Sequence, residues 1–289
     1  MKILVTIVIV FLIPVLSLAD SGARFLAVEA GARPVGMGGA FTSITSDPYS
    51  AAYNPAAVFG VEKLSGSFGH NTYWQGTQIH SGYVIFEKHS IAFNAGIQFG
   101  EVGDIEGRGD IPTEEPLYLF ELQDISFKTG FAFRIKRIIT VGLSAGWVFE
   151  KIDSYRGYAV NADLGLLVNP VERLYFGLSA LYLGQKLKLN VAEYDLPTSY
   201  RFGVSYHLDN FLPAFDIVNE DGDTHLHVGA EFKTYDKFFL RAGYRTGYDT
   251  KDLSAGVGFA HRNLRIDYAY QPYSDILDDS HLINLTFTL

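Results

Sequence analysis

Leu264–Tyr270 reads LRIDYAY. Leu264, Ile266, Tyr268 and Tyr270 alternate with Arg265, Asp267 and Ala269. In an extended chain, a period of two puts the first set on one face and the second on the other. The same alternation runs through IAFNAGIQF (91–99), SYRFGVSYH (199–207) and HLHVGAEFK (225–233). From Lys63 onward the pattern defines fourteen strand segments, at roughly 63–73, 77–87, 90–99, 123–134, 139–151, 156–168, 174–185, 198–208, 212–219, 224–234, 238–245, 253–261, 264–271 and 280–289. Most have the length of a tilted membrane-crossing strand.

The connections fall into two sets. Lys88-His89, Arg134–Ile138, Asn169–Arg173, Asp209–Phe211, Tyr235–Lys237 and Arg262-Asn263 are tight. Gly100–Leu122, Gly184–Pro197, Glu220–Asp223, Thr246–Asp252 and Pro272–Asp279 are mostly longer and more polar. Short turns on one rim and long loops on the other mark an outer-membrane barrel. A soluble sandwich also alternates, but its apolar face points inward. Here the polar faces carry Arg, Asp, Glu, His and many Gly, which suits a confined lumen, and the apolar faces carry Phe and Tyr near segment ends, as interfacial girdles do. The segment HLINLTFTL (281–289) places Ile283, Leu285, Phe287 and Leu289 on one face and is suited to close against the first strand. The expected fold is all-β: a 14-stranded antiparallel transmembrane β-barrel over residues 63–289.

Composition narrows the function. Charged residues make up 19% of the chain, below the quarter or so of a soluble domain, and aromatics 15%. A net charge of −9 argues against a nucleic-acid partner. Cysteine is absent, which removes disulfides, thiolate metal sites and cysteine nucleophiles. MKILVTIVIVFLIPVLSLAD (1–20) combines a Lys, a short apolar run and a small-x-small site, so residues 1–19 are expected to be a signal peptide cleaved after Ala19. The location this implies is the outer membrane of a Gram-negative-type bacterium.

Residues 20–62 lack either period. GARPVGMGGAFTSITSDPYSAAYNPAAV (31–58) is rich in Gly and Ala and sits between the signal and the first strand. Residues 20–62, which contain it, are expected to be a hatch folded inside the lumen, with small residues allowing close packing and Asn54-Pro55 offering a turn.

These stretches in order, together with LPTSYRFGVSY, HVGAEFKTYDKFFLRAGYRTGY, LSAGVGFAHRNLRIDYAYQP and HLINLTFTL, resemble the PorV/PorQ group of outer-membrane proteins, relatives of FadL-like hydrophobic-compound channels. The resemblance implies a fourteen-stranded barrel with an N-terminal segment in its lumen. It also assigns Asn54, Pro55 and Ala56, with Gly36, Gly38 and Gly39, to the hatch; Ala57 stands where relatives often carry Gly. The group divides into members that pass hydrophobic molecules and members that serve type IX secretion.

Arg201, Arg241, Arg245, Arg265, Asp163, Glu231 and Asp267 fall on the polar faces and are expected to line the lumen, pairing with one another and with the hatch. Other constellations are weaker. GMGGAF (36–41) lacks the strand and Lys of a phosphate loop. His225 and His227 share a face but show no third metal ligand, and NEDGDTH (219–225) and SDILDDSH (274–281) lack EF-hand spacing. Ser205 and His207 share a face, with no GxSxG anywhere. No cofactor, metal or catalytic residue is expected. The expected partners are outer-membrane lipid and either small hydrophobic ligands or exported proteins. The leading reading is a plugged, channel-like barrel for small, hydrophobic molecules; the alternative is a non-enzymatic secretion scaffold or docking protein. The acidic and apolar stretch GEVGDIEGRGDIPTEEPLYLFEL (100–122) is read either as a loop over the lumen or, at LYLF (117–120), as the base of the fourth strand.

Overall fold

The computed structural model describes residues 21–61, 63–73, 76–109, 114–136, 138–274 and 277–289. The expected signal peptide lies outside the described residues. The alternating segments form β1 (Leu64–Thr72), β2 (Gln78–Lys88), β3 (Ile91–Gly107), β4 (Tyr118–Ile135), β5 (Ile139–Ile152), β6 (Tyr155–Val171) and β7 (Leu174–Gly184). After a small hairpin, β8 (Leu187–Leu189) and β9 (Ala192–Tyr194), come β10 (Ser199–Tyr206), β11 (Phe211–Glu220), β12 (Asp223–Thr234), β13 (Phe238–Thr246), β14 (Leu253–His261), β15 (Leu264–Gln271) and β16 (Ser280–Thr288).

All but β8 and β9 pair antiparallel with their neighbours, and β16 pairs with β1, so fourteen strands close one barrel. Closure leaves no edge in the hydrocarbon, where an unpaired backbone group costs several kcal/mol. The apolar faces point outward: Phe93, Ile97, Phe131, Val141, Leu240, Val257, Ile266 and Leu285 are all exposed on the barrel wall. Phe86, Phe133, Tyr206, Phe211, Phe232, Phe238, Phe259 and Phe287 ring the short-turn rim, where amphipathic and aromatic girdles meet the headgroups.

The strands differ from the expected segments at the long-loop rim. β3 and β4 continue well past the membrane-spanning length, so most of 100–122 is hairpin rather than loop, and LYLF from Tyr118 is strand. One extra β3 residue sits between the pairs Val102↔Leu122 and Ile105↔Phe120, a bulge at Gly103-Asp104 with Asp104 at φ 54°. Alternation stops at a bulge, which is why the period-two reading ended β3 early. β5 and β6 also rise above the rim and join through the two-residue turn Asp153-Ser154.

Candidate functional site: the filled lumen

Residues 21–61 run through the barrel. Ser21 bridges to Asp195 beside the β8–β9 hairpin at the long-loop rim, and the chain descends to Val61, from which β1 starts at the short-turn rim. On the way it forms a 3-10 turn (Arg24–Ala27) and two short helices, α1 (Ala32–Gly36) and α2 (Ser50–Tyr53). Nearly every residue from Ala30 to Phe59 is buried.

An irregular segment must still satisfy its backbone polar groups, and inward strand side chains do this. Asn284 accepts the Ala32 N–H (3.0 Å), Ser254 the Gly38 N–H (3.2 Å) and Glu150 the Ala23 N–H (3.0 Å). Asp216 Oδ2 accepts the N–H groups of Phe41 (2.9 Å) and Thr42 (3.0 Å) and the Thr42 hydroxyl (2.6 Å). Ser179 donates to the Tyr53 carbonyl at 2.7 Å.

The residues assigned to the hatch lie at its tightest points. Gly36 packs against Gly256, the backbone of Gly38 against Gly243, and Gly39 beside Glu29 and His227. Gly38 and Gly39 have φ of 65° and 68°, which only glycine adopts without strain. Asn54 donates to the carbonyls of Thr42 (2.9 Å) and Leu166 (3.1 Å) and accepts the Ala56 N–H (2.9 Å), an Asx turn that presses Pro55 and Ala56 onto Gly142 and Gly165. The strand glycines are thus the floor on which the segment rests. Gly243→Val removes that floor; overpacking costs about 1–3 kcal/mol. The variant is expected to melt well below Gly66→Val, whose added Cβ meets nothing nearer than 3.8 Å.

Of the seven charged residues expected to line the lumen, Arg201, Arg241, Arg245, Asp163, Glu231 and Asp267 are buried, and Arg265 is partly buried. Two of the arginines, Arg241 and Arg265, and both carboxylates Glu231 and Asp267 assemble with the hatch residues Arg33 and Asp47. Arg33 forks onto Glu231 (Nε and Nη2, both 2.8 Å) and reaches Asp47 at 3.3 Å. Arg241 donates from Nε to Glu231 at 2.6 Å and lies 2.8 Å from Asp267, an ion contact without hydrogen-bond alignment. Arg265 bonds Asp267 at 2.7 Å and pairs with Asp47. Three cations face three anions, so the cluster is neutral. Three further pairs cross the lumen: Arg201 with Asp216 (3.4 Å) and the Gly39 carbonyl (2.7 Å), Arg245 with Glu29 (2.9 Å), and Lys128 with Asp163 (2.7 Å). Arg33, Asp47 and Glu29 were absent from the expected set, although Arg33 and Asp47 are the only charges in 30–57. A charge in a stretch of small residues is the signal that points to them.

The family described as type IX secretion system membrane protein PorP/SprF matches residues 49–287. The chain belongs to that family. PorP/SprF proteins are related to the PorV/PorQ group that the sequence resembles. No curated protein matches the chain in sequence. In structure, this PorP/SprF family barrel is similar to the P. putida toluene transporter TodX, with TM-score 0.68 and 12% identity over 90% of this chain and 98% of that one. A Pseudomonas aeruginosa FadL homologue gives TM-score 0.64 and 12% identity, again over 90% and 98%. At such identity the likeness is one of fold. The chain is thus an outer-membrane β-barrel of the PorP/SprF family built on the FadL-like plan.

Among the described residues, two of the cavities beside the N-terminal segment of the PorP/SprF barrel are small. A cavity lined by Ala51, Tyr83, Lys128 and Tyr182 measures about 10 Å³, and one lined by Glu29, Tyr53, Arg201 and Glu220 about 40 Å³. These hold a water or two; a small-molecule pocket takes about 300–1,000 Å³. His225 stacks on Tyr248 at 3.8 Å, and His227 Nε2 meets the Tyr248 hydroxyl at 3.0 Å, so the loop after β13 caps the lumen through both histidines. No group of three metal ligands occurs among the described residues. Ser205 donates to the Ser43 carbonyl at 3.2 Å and lies 3.4 Å from His207 Nε2, so its hydroxyl is engaged with the hatch.

Glu29 ties the upper hatch to the wall. Its carboxylate lies 2.9 Å from the wholly buried guanidinium of Arg245. Glu29→Gln removes this ion pair, and amide exchange of residues 21–40, compared at one pH, is expected to be faster than in the parent protein.

Proposed function

We propose that this protein is a closed outer-membrane barrel of the type IX secretion apparatus that acts as a docking scaffold for exported proteins. It performs no catalysis. The precursor carries a signal peptide over residues 1–19, and residues 20–62 form a hatch that stays in place. The observation that carries this reading is the coincidence of a secretion-family match across 49–287 with a lumen packed by charge-paired protein. Passage of small hydrophobic molecules, the activity named for TodX, requires an apolar route. Here the spaces beside the segment are water-sized and lined by Lys128, Arg201, Glu29 and Glu220. The barrel offers its partners surfaces, and the strands that rise above the long-loop rim are the largest of them.

Deletion of the gene is expected to strand type IX cargo inside the cell envelope and to clear it from the culture medium, as read by mass spectrometry of both fractions. Re-expression of the full chain restores release. Uptake of toluene or of long-chain fatty acids is expected to match the parent strain. Unchanged cargo release with impaired uptake would reverse the assignment.

A further inference from the structure

The extension of β3 has a neighbour on one side only. β2 stops pairing at Gln78↔Glu101, whereas β3 runs on to Gly107 and pairs there with β4 alone. The chain before β2 turns back on itself, with the Tyr73 N–H bonded to the Thr77 carbonyl at 2.8 Å. Among the described residues, nothing pairs with Val102–Glu106 on the β2 side. Beside this edge lies an open cleft of about 600 Å³, lined by Gly76, Gln78, Glu101, Asp104, Glu121 and Gln123. It is larger than the lumen cavities lined by Tyr182 and by Arg201, and it lies beside the extended ends of β3 and β4.

A free edge is a template for another strand. Its charge decides which one. Residues 100–122 contain Glu101, Asp104, Glu106, Asp110, Glu114, Glu115 and Glu121 against Arg108 alone, seven acidic and one basic, a net −6. Arg108 is held by Glu106 at 2.7 Å. The cleft's own carboxylates, Glu101, Asp104 and Glu121, have no described cation against them. Such an edge repels a second copy of itself, since like charges facing across a strand pair are destabilising. It also repels acidic segments and favours basic ones.

We propose that the β2-side edge of β3 at Val102–Glu106 docks a basic, extended segment of an exported polypeptide by strand addition, with Glu101, Asp104 and Glu121 selecting it by charge. This rests on the docking function above and names where and how docking occurs. Backbone hydrogen bonds supply the attachment, and the Gly103-Asp104 bulge sets where pairing begins. Glycine at 103 leaves the approach open, since nothing lies within 4 Å of the position of a Cβ there.

The test uses the full chain in lipid nanodiscs and three fluorescent nine-residue peptides: alternating Lys-Val, alternating Glu-Val, and alternating Lys-Pro. Lys-Pro has the charge of Lys-Val but lacks half its backbone donors. Lys-Val is expected to bind at least about tenfold tighter than either of the others. The double variant Asp104→Lys/Glu121→Lys is expected to lose that binding while keeping the gel mobility of a folded barrel. If the double variant does not fold, Glu121→Lys alone, on exposed β4 surface, serves the same purpose and is expected to weaken binding. Equal binding of Lys-Val and Lys-Pro would overturn strand addition. Binding untouched by charge reversal would overturn the site. Because the chain contains no cysteine, Gly103→Cys gives one unique thiol. Disulfide-linked dimers of that variant, in place of cross-links to a Lys-Val peptide carrying one Cys, would assign the edge to a second copy. Failure here with cargo still stranded in the deletion strain rejects the edge and leaves the docking function standing. Normal cargo release rejects the function itself.

Discussion

Arg241→Ala is expected to destabilise the barrel by about 3–5 kcal/mol, the cost of leaving a buried charge without its partner. Arg241 is wholly buried and touches both Glu231 and Asp267. Without it, Glu231 keeps Arg33 and Asp267 keeps Arg265, so three anions share two cations in a space that water does not fill. The readout is the temperature at which the compact, fast-migrating band converts to the unfolded band on a gel. Arg241→Lys restores the charge but not the planar fork that spans two carboxylates, and is expected to fall between the two. Arg173→Ala provides the contrast. Its partner Asp209 is at 2.9 Å, but the two side chains are 42% and 81% exposed, and such a pair is worth about 0–1 kcal/mol. If Arg241→Ala melts like Arg173→Ala, the lumen cluster is hydrated and does not hold the hatch.

The second large effect is on permeability. Deletion of Ala30–Ala57 is expected to leave a folded barrel that conducts. Folding survives because every membrane-spanning strand is paired with two strand neighbours, and none of those pairings uses the segment. Conduction appears because the segment fills the lumen, and the charges it neutralised then face water. In planar bilayers the intact protein is expected to stay at background and the deletion protein to show stepwise currents. Added segment peptide, which carries Arg33 and Asp47, is expected to reduce them. Background conductance from a correctly folded deletion protein would mean that the wall or the capping loop after β13 collapses inward instead.

The two experiments address the same point from opposite sides. The first asks whether wall and hatch are one electrostatic unit. The second asks whether the hatch is what closes the pore. Together they separate a barrel that presents surfaces from one that opens.

Much of this was legible in the sequence because a membrane barrel imposes a simple rule. Lipid outside and a polar lumen inside force alternation, so LRIDYAY and its counterparts reveal the strands, their facing and their number. The inward placement of Arg201, Arg241, Arg245, Arg265, Asp163, Glu231 and Asp267 follows from the same parity. The unpatterned run at 31–58 stands out because it obeys neither period, and its glycines announce close contact.

Partners across the lumen were not legible. Arg33 meets Glu231 from almost two hundred residues away, and Asp47 meets Arg265 from farther still. No local spacing encodes such pairings; they arise when the barrel closes and the hatch settles. Glu29 is an unremarkable residue ahead of the glycine-rich run until the fold brings Arg245 to it. The length of β3 was also hidden, because the bulge at Gly103-Asp104 breaks the parity on which the reading depends. The sequence alone therefore determined the class of fold, the strand number and which side chains face lipid, since these depend on a solvent boundary felt by each residue in turn. Only the tertiary structure decided how the N-terminal segment packs in the lumen and that, among the described residues, β3 has an acidic edge without a strand neighbour, since these depend on which distant residues meet and on which backbone groups are left without a partner strand.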